Sequence, residues 1–266
     1  MDETPICPAD DPRLEGLRRI LAVMDRLRGE GGCPWDRAQT PHTLRGYLLE
    51  ETYELLEALD EEDAQGVREE LGDVLFQVVF HARIAEELDE PYHLGDVATG
   101  IARKLHRRHP HVFAEPGRLE HPEQVLTEWE QLKRQEGRKS VLEGVPRALP
   151  ALLRAQRVQE KASRVGFDWT DVSGPLEKLD EELAEVKEAL ANGSRDEVAA
   201  ELGDLAFSLV NLARHLDVNL EDALRESTAK FERRFRHVER QQPDLRGLDL
   251  EALEALWQAA KRALEP

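Results

Sequence analysis

The sequence predicts an all-α protein built as a tandem repeat of two helical bundles. Three observations support this fold class: a helix-forming composition, apolar residues at helical spacing, and a segment that recurs along the chain. Leu, Ala, Glu and Arg dominate, whereas aromatic residues make up only 5% of the 266 positions, as is typical of helices. No run of alternating β-branched residues indicates a strand.

Apolar residues that recur every three or four positions predict the individual helices in chain order. In the first half this spacing runs through 14–24, 48–59, 71–79 and 101–105. It returns in the second half through 149–153, 179–190, 202–210 and 223–224. We therefore expect about four or five helices in each half.

A shift of 131 positions aligns 48–83 with 179–214 without a gap, and 16 of the 36 aligned positions are identical. Chance similarity between helices would preserve an apolar stripe, but it would not preserve five acidic residues at one offset. These pairs are Glu50/Glu181, Glu51/Glu182, Glu54/Glu185, Glu70/Glu201 and Asp73/Asp204. Two Gly and two Pro in 137–150 mark a linker. The predicted domains are therefore 1–140 and 141–266.

The repeated acidic pattern predicts a metal site in each half. Residues three positions apart on a helix project from one face, and turns near 60–66 and 192–193 let consecutive helices fold back on each other. The converging carboxylates repel one another unless a hard divalent cation lies between them. Oxygen ligands favour Mg²⁺ or Mn²⁺. The alternative is a solvated acidic helix face. The candidate ligands are Glu51, Glu54, Glu70 and Asp73, with Glu182, Glu185, Glu201 and Asp204 in the second half.

Basic and aromatic residues in both halves are candidates for binding phosphates and a base. Two compact basic clusters suit several phosphate oxygens; they contain Lys104, Arg107 and Arg108, and Lys230, Arg233 and Arg234. In each half a Trp also precedes a Lys by one helical turn, which offers a ring for stacking beside a cation; these pairs are Trp129 with Lys133 and Trp257 with Lys261. The alternatives are a solvated basic face and tryptophans packed inside the bundle.

Charge and composition argue against several classes of protein. The formal charge of −19 opposes binding to nucleic acid. No segment approaches the ~18 apolar residues of a membrane span, and the acidic start lacks the features of a secretion signal. We therefore expect a cytoplasmic protein without a membrane partner. Cys7 and Cys33 allow at most one disulfide, so core packing must stabilise the fold.

Taken together, these motifs resemble the MazG family of nucleoside triphosphate pyrophosphohydrolases in its two-domain bacterial form. The resemblance covers nearly the whole chain and includes the acidic residues of both halves and the segments 32–40, 107–113 and 166–169. It implies a dimerising all-α bundle that needs Mg²⁺ and hydrolyses nucleoside triphosphates to monophosphate and pyrophosphate. By motif position, the eight candidate ligands would bind metal. Glu50 and Glu181 would be supporting acids that position or deprotonate the attacking water.

The resemblance also implies that Lys230, Arg234, Trp257 and Lys261 bind nucleotide; Lys104, Arg108, Trp129 and Lys133 are their counterparts in the first half. The two halves differ around these motifs, so the sequence does not decide whether both are active. The family resemblance favours the second half as the active one. We expect a homodimer, since each half has too few helices to cover its apolar faces. The leading hypothesis is a broad-specificity housecleaning enzyme. The alternatives are a narrower dUTP or dCTP pyrophosphatase and a non-catalytic acidic dimer that senses nucleotides or binds a partner protein.

Overall fold

Every regular element in the described part of the chain is a helix. The computed structural model describes residues 4–114, 121, 124, 125, 129 and 140–264, and the chain folds into two compact units, Met1–Trp129 and Glu130–Pro266. The helices of the first unit are α1 (Arg13–Arg28), α2 (Pro34–Ala38), α3 (Arg45–Asp60), α4 (Ala64–Ala85), α5 (Leu94–Arg108) and α6 (Pro110–Phe113). Those of the second unit are α7 (Ala151–Ser163), α8 (Ser173–Asn192), α9 (Arg195–His215), α10 (Leu220–Gln241) and α11 (Leu250–Leu264). The all-α prediction is confirmed.

In the first unit, α3 and α4 form a helix hairpin and pack against each other along their lengths. The short connection ends at Asp63, whose carboxylate accepts a hydrogen bond from the Gln65 amide at 3.0 Å and so caps the start of α4. Helix α1 packs against α4, where Met24 and Phe80 are fully buried in the main apolar core. The predicted turn within 60–66 is therefore confirmed.

In the second unit, α8 and α9 form the corresponding hairpin. Ser194 caps α9 in a capping box, in which the Ser194 hydroxyl accepts from the Glu197 amide while the Glu197 carboxylate accepts from the Ser194 amide. This reciprocal arrangement ends the turn predicted at 192–193 and starts the next helix at once. Helix α7 packs on α9, and α11 packs on α10.

The hairpins determine where the acidic residues lie. Each hairpin carries one group of acidic residues on its first helix and one on its second, at positions that correspond between the two units. No helix in the described residues is both long and apolar enough to cross a membrane.

Candidate metal and nucleotide site

The hairpin of α3 and α4 brings three carboxylates of the first unit together. One oxygen from each of Glu51, Glu70 and Asp73 lies within 4.8 Å of the others. Glu54 is exposed and lies outside this trio, although its charge acts on both Glu51 and Glu70. Glu50 is exposed on the same helix. We call Glu51, Glu70 and Asp73 the first trio.

The carboxylates of the first trio repel one another. Burial, followed by the charges of the surrounding carboxylates, raises the pKa of Glu51 and the pKa of Glu70. In addition, the buried Oε2 atom of Glu70 has no hydrogen-bond partner among the described residues. A buried acceptor without a partner is costly, and a bound cation would satisfy it. The donor set therefore fits a hard divalent ion.

The hairpin of α8 and α9 repeats this arrangement in the second unit. One oxygen from each of Glu182, Glu201 and Asp204 lies within 4.8 Å of the others, and Glu182 is buried. Glu185 is exposed and outside this second trio. Burial and then the charge of Glu182 raise the pKa of Glu185, while Lys178 opposes the shift. The second donor set also fits a hard divalent ion.

One residue beside the second trio, Lys178, is not among those predicted from the sequence. Its Nζ atom lies 2.8 Å from Glu181 Oε1 and 2.7 Å from Glu182 Oε1. These contacts, first to Glu181 and then to Glu182, raise the pKa of Lys178. The signal was present, because a Lys three and four positions before two Glu residues forms ion pairs along a helix. The equivalent position in the first unit is Tyr47, whose ring contacts Trp35 edge-on.

An ionic contact attaches the loop before α8 to the end of α9. Asp168 accepts hydrogen bonds from Arg214 Nη1 at 2.8 Å and Arg214 Nη2 at 2.5 Å, and its Oδ1 atom lies 3.0 Å from His215 Nε2. Burial alone would raise the pKa of Asp168, but the bonds from Arg214 and His215 lower it overall. This contact helps to hold the two helices of the second trio in register, because it ties the segment leading into α8 to α9.

The structure groups part of the predicted nucleotide-binding set of the second unit. Lys230 and Arg234 lie on α10, and Trp257 and Lys261 lie on α11. The Arg234 guanidinium carbon lies 5.7 Å from the centre of the Trp257 ring. The centre of the Trp257 ring is also 5.1 Å from that of Phe231, a neighbour that spacing did not predict. Trp257 is half-buried.

The counterparts in the first unit are arranged differently. Lys104 is exposed on α5, and Arg108 is half-buried at its last residue. Trp129 meets His109 edge-on at 4.9 Å, whereas the position equivalent to His109 in the second unit is the apolar residue Phe235. The predicted residue Lys133 lies outside the described residues.

Comparison with known proteins identifies both hairpins with one family. A family model described as the MazG nucleotide pyrophosphohydrolase domain matches residues 39–113 and 173–239, the two segments that carry the acidic hairpins. The chain belongs to the MazG family. The double match agrees with the internal repeat, and each matched segment of this MazG chain contains one acidic trio.

Full-length relatives in the MazG family support the same assignment. The chain is 46% identical over 260 residues to the nucleoside triphosphate pyrophosphohydrolase of Escherichia coli K12, covering 92% of this chain and 97% of that protein. It is 45% identical over 252 residues to the nucleoside triphosphate pyrophosphohydrolase/pyrophosphatase MazG of Thermotoga maritima, covering 92% of this chain and 95% of that protein. The chain also matches the nucleoside triphosphate pyrophosphohydrolase of Mycobacterium tuberculosis over a shorter segment. This match is 46% identical over 164 residues and covers 61% of this chain and 49% of that protein.

Proposed function

We propose that this protein hydrolyses nucleoside triphosphates to nucleoside monophosphate and pyrophosphate with Mg²⁺ as its cofactor. The observation that carries the proposal is the carboxylate trio present in each of the two segments that match the MazG domain. The names of the full-length relatives support the reaction. The oxygen-only donors support Mg²⁺, with Mn²⁺ as a substitute.

The residues of each trio would hold the metal. Glu54 and Glu185 could act as further ligands, because each lies close enough to its trio to interact with it electrostatically. A bound divalent ion supplies Lewis acidity, which lowers the pKa of water and offsets the charge of a triphosphate. Glu181, or Glu50 in the first unit, would accept the proton of the attacking water. Attack at the α-phosphorus then breaks the bond to the β-phosphate oxygen and releases pyrophosphate.

The remaining predicted residues would bind the substrate rather than react with it. Lys230 and Arg234 carry the positive charge that phosphate oxygens require, and Lys261 adds a third cation one turn from Trp257. The face of Trp257 would stack on a base without reading its hydrogen-bonding edge. A stacking surface accepts every base, so we propose broad specificity that suits nucleotide-pool housecleaning.

Product analysis tests the proposed reaction. With ATP, dGTP, dUTP and dCTP and excess Mg²⁺, ³¹P NMR should show monophosphate and pyrophosphate in equal amounts, because cleavage falls at the α-phosphorus. Chelation by EDTA should stop the reaction, and Mn²⁺ should restore it. Diphosphate with orthophosphate would contradict the cleavage position. Turnover of dUTP or dCTP alone would indicate a narrow enzyme, and binding without any product would indicate a nucleotide sensor.

We also propose that the protein is a homodimer, since its acidic helices expose a regular apolar stripe. Leu176, Leu183 and Leu190 recur every seven residues on α8 and are 46%, 40% and 68% exposed. Leu202 and Leu209 continue this pattern on α9 and are also about half-exposed. A stripe with this period is typical of helix packing against another helix, and a second copy of the chain offers the matching surface.

A single charge in the stripe should separate the dimer. In a Leu190→Glu variant an unpaired carboxylate would be buried at the interface, so the dissociation constant should rise by roughly a hundredfold. Sedimentation velocity at micromolar concentration would measure the change. Leu250→Glu is the control, because Leu250 is 81% exposed at the start of α11 and lies outside the stripe. A monomeric parent protein, or an unchanged dimer in Leu190→Glu, would contradict the proposal.

A further inference from the structure

We propose that Lys178 is a built-in counter-cation of the second trio, which makes the second site bind divalent metal more weakly than the first. This inference rests on the proposed function, because it concerns the same metal sites. The two trios have the same kinds of donor residues, but among the described residues only the second has a lysine beside it.

The contact between Lys178 and Glu182 places a positive charge directly on a candidate ligand. Lys178 Nζ lies 2.7 Å from Glu182 Oε1, and the Glu182 side chain is only 6% exposed. Burying a carboxylate so deeply requires a partner. The ammonium group of Lys178 is that partner, and it also contacts Glu181 at 2.8 Å.

The first unit provides the comparison within the same chain. Tyr47 stands at the position equivalent to Lys178 and brings no charge. Within the described part of the chain, no ion pair involves Glu51, Glu70 or Asp73. The orphaned Glu70 Oε2 atom belongs to this unit. Given the described residues, only a cation from solution can thus neutralise the charge of the first trio, whereas Lys178 partly neutralises the charge of the second.

Electrostatics determines the sign of the effect. A divalent ion bound to Glu182, Glu201 and Asp204 lies close to the ammonium of Lys178, and like charges at such distances repel. The ion must also weaken the pairing between Lys178 and Glu182. Repulsion between charges near solvent corresponds to roughly a three- to tenfold loss of metal affinity. A lysine that merely oriented Glu182 as a hydrogen-bond partner would have the opposite effect, because its removal would weaken metal binding.

The test measures Mn²⁺ binding to the full chain by electron paramagnetic resonance, which reports the hexaaqua ion in solution. A Glu70→Gln background disables the first trio, so that the second is measured by itself. Adding Lys178→Met should then tighten Mn²⁺ binding about three- to tenfold, whereas Lys178→Arg, which keeps the charge, should leave it within about twofold. Lys187→Met is the matched control, because it removes the same charge from an exposed site roughly 13 Å further along α8.

The reciprocal variant tests the same idea in the first unit. In a Glu201→Gln background, Tyr47→Lys should weaken Mn²⁺ binding about three- to tenfold, and Tyr47→Phe should not. Unchanged or weaker binding in Lys178→Met would overturn the inference while leaving the proposed function intact. Absence of Mn²⁺ binding in both single-site backgrounds would instead overturn the metal sites themselves, and with them the proposed function.

Discussion

Replacing Glu70 and Glu201 together by Gln should lower kcat/KM for nucleoside triphosphate hydrolysis by about 10²- to 10³-fold. The two residues occupy equivalent positions in the trios of the two units. Gln keeps the size of the side chain but removes its charge, so a metal ion held by the trios would lose one anionic ligand in each unit. Because the trios contain mutually repelling carboxylates, the substitutions should not destabilise the metal-free fold.

The control for this variant removes two acids from the same hairpins outside the trios. Glu69 and Glu188 are both exposed, and Glu69→Gln with Glu188→Gln makes the same change in net charge. That control should keep its activity within about twofold, as expected for surface substitutions. Pyrophosphate release can be followed with a coupled inorganic pyrophosphatase assay. Retention of activity in Glu70→Gln/Glu201→Gln would exclude the trios as the catalytic metal sites.

The corresponding single variants show which half is active. If the second unit carries the reaction, Glu201→Gln alone should reproduce the loss seen in the double variant, whereas Glu70→Gln should resemble the parent. Comparable partial losses would show that both halves turn over. The structure favours different behaviour of the two units, since only the second trio has Lys178 beside it.

Replacing Phe80 by Ala should destabilise the first unit by about 3–5 kcal/mol. Phe80 is fully buried on α4, beside Met24 and Leu44 in the main apolar core. Its ring meets Phe76 edge-on at 5.4 Å, and the Arg28 guanidinium lies 5.6 Å from its centre. Truncation therefore leaves a cavity and removes aromatic contacts at once. Such a loss is a large fraction of the stability of a typical domain.

Urea unfolding followed by circular dichroism would measure this effect and also test the independence of the two units. We expect Phe80→Ala to add an early transition for the first unit while the second unit keeps its helices. Phe113→Ala is the control, because Phe113 is 45% exposed and should cost less than about 1.5 kcal/mol. If both units instead unfold in one transition shifted to lower urea, they form one cooperative structure.

The helix hairpins and their acids were predictable because both depend on local rules. Apolar spacing indicates which segments are helical, and the turn residues near Asp63 and Ser194 mark where the chain reverses. Spacing along a helix also placed Glu70 with Asp73, and Glu201 with Asp204, on common faces. The internal repeat then favoured a site over a plain acidic surface.

Other features depend on side-chain directions and packing, which spacing does not determine. Glu54 and Glu51 share a face, yet only Glu51 is drawn into the trio, because small differences in rotation and rotamer decide how far a carboxylate reaches. The apolar spacing predicted α8 and α9 as helices, but it did not determine which apolar residues stay exposed within one chain, such as Leu190 and Leu202. Spacing alone likewise does not show whether Trp257 packs in the core or faces a ligand; in the structure its ring lies against Phe231 and the residue stays partly exposed.

The capped hairpin of α8 and α9 has a consequence for how the protein is made. Glu182, Glu201 and Asp204 all belong to this one supersecondary motif, so their assembly needs no contact between distant parts of the chain. Structures of low contact order form in microseconds to milliseconds, faster than a ribosome adds a residue. In a nascent polypeptide the candidate ligands would therefore come together once α9 has left the exit tunnel, before α10 and α11 emerge from it.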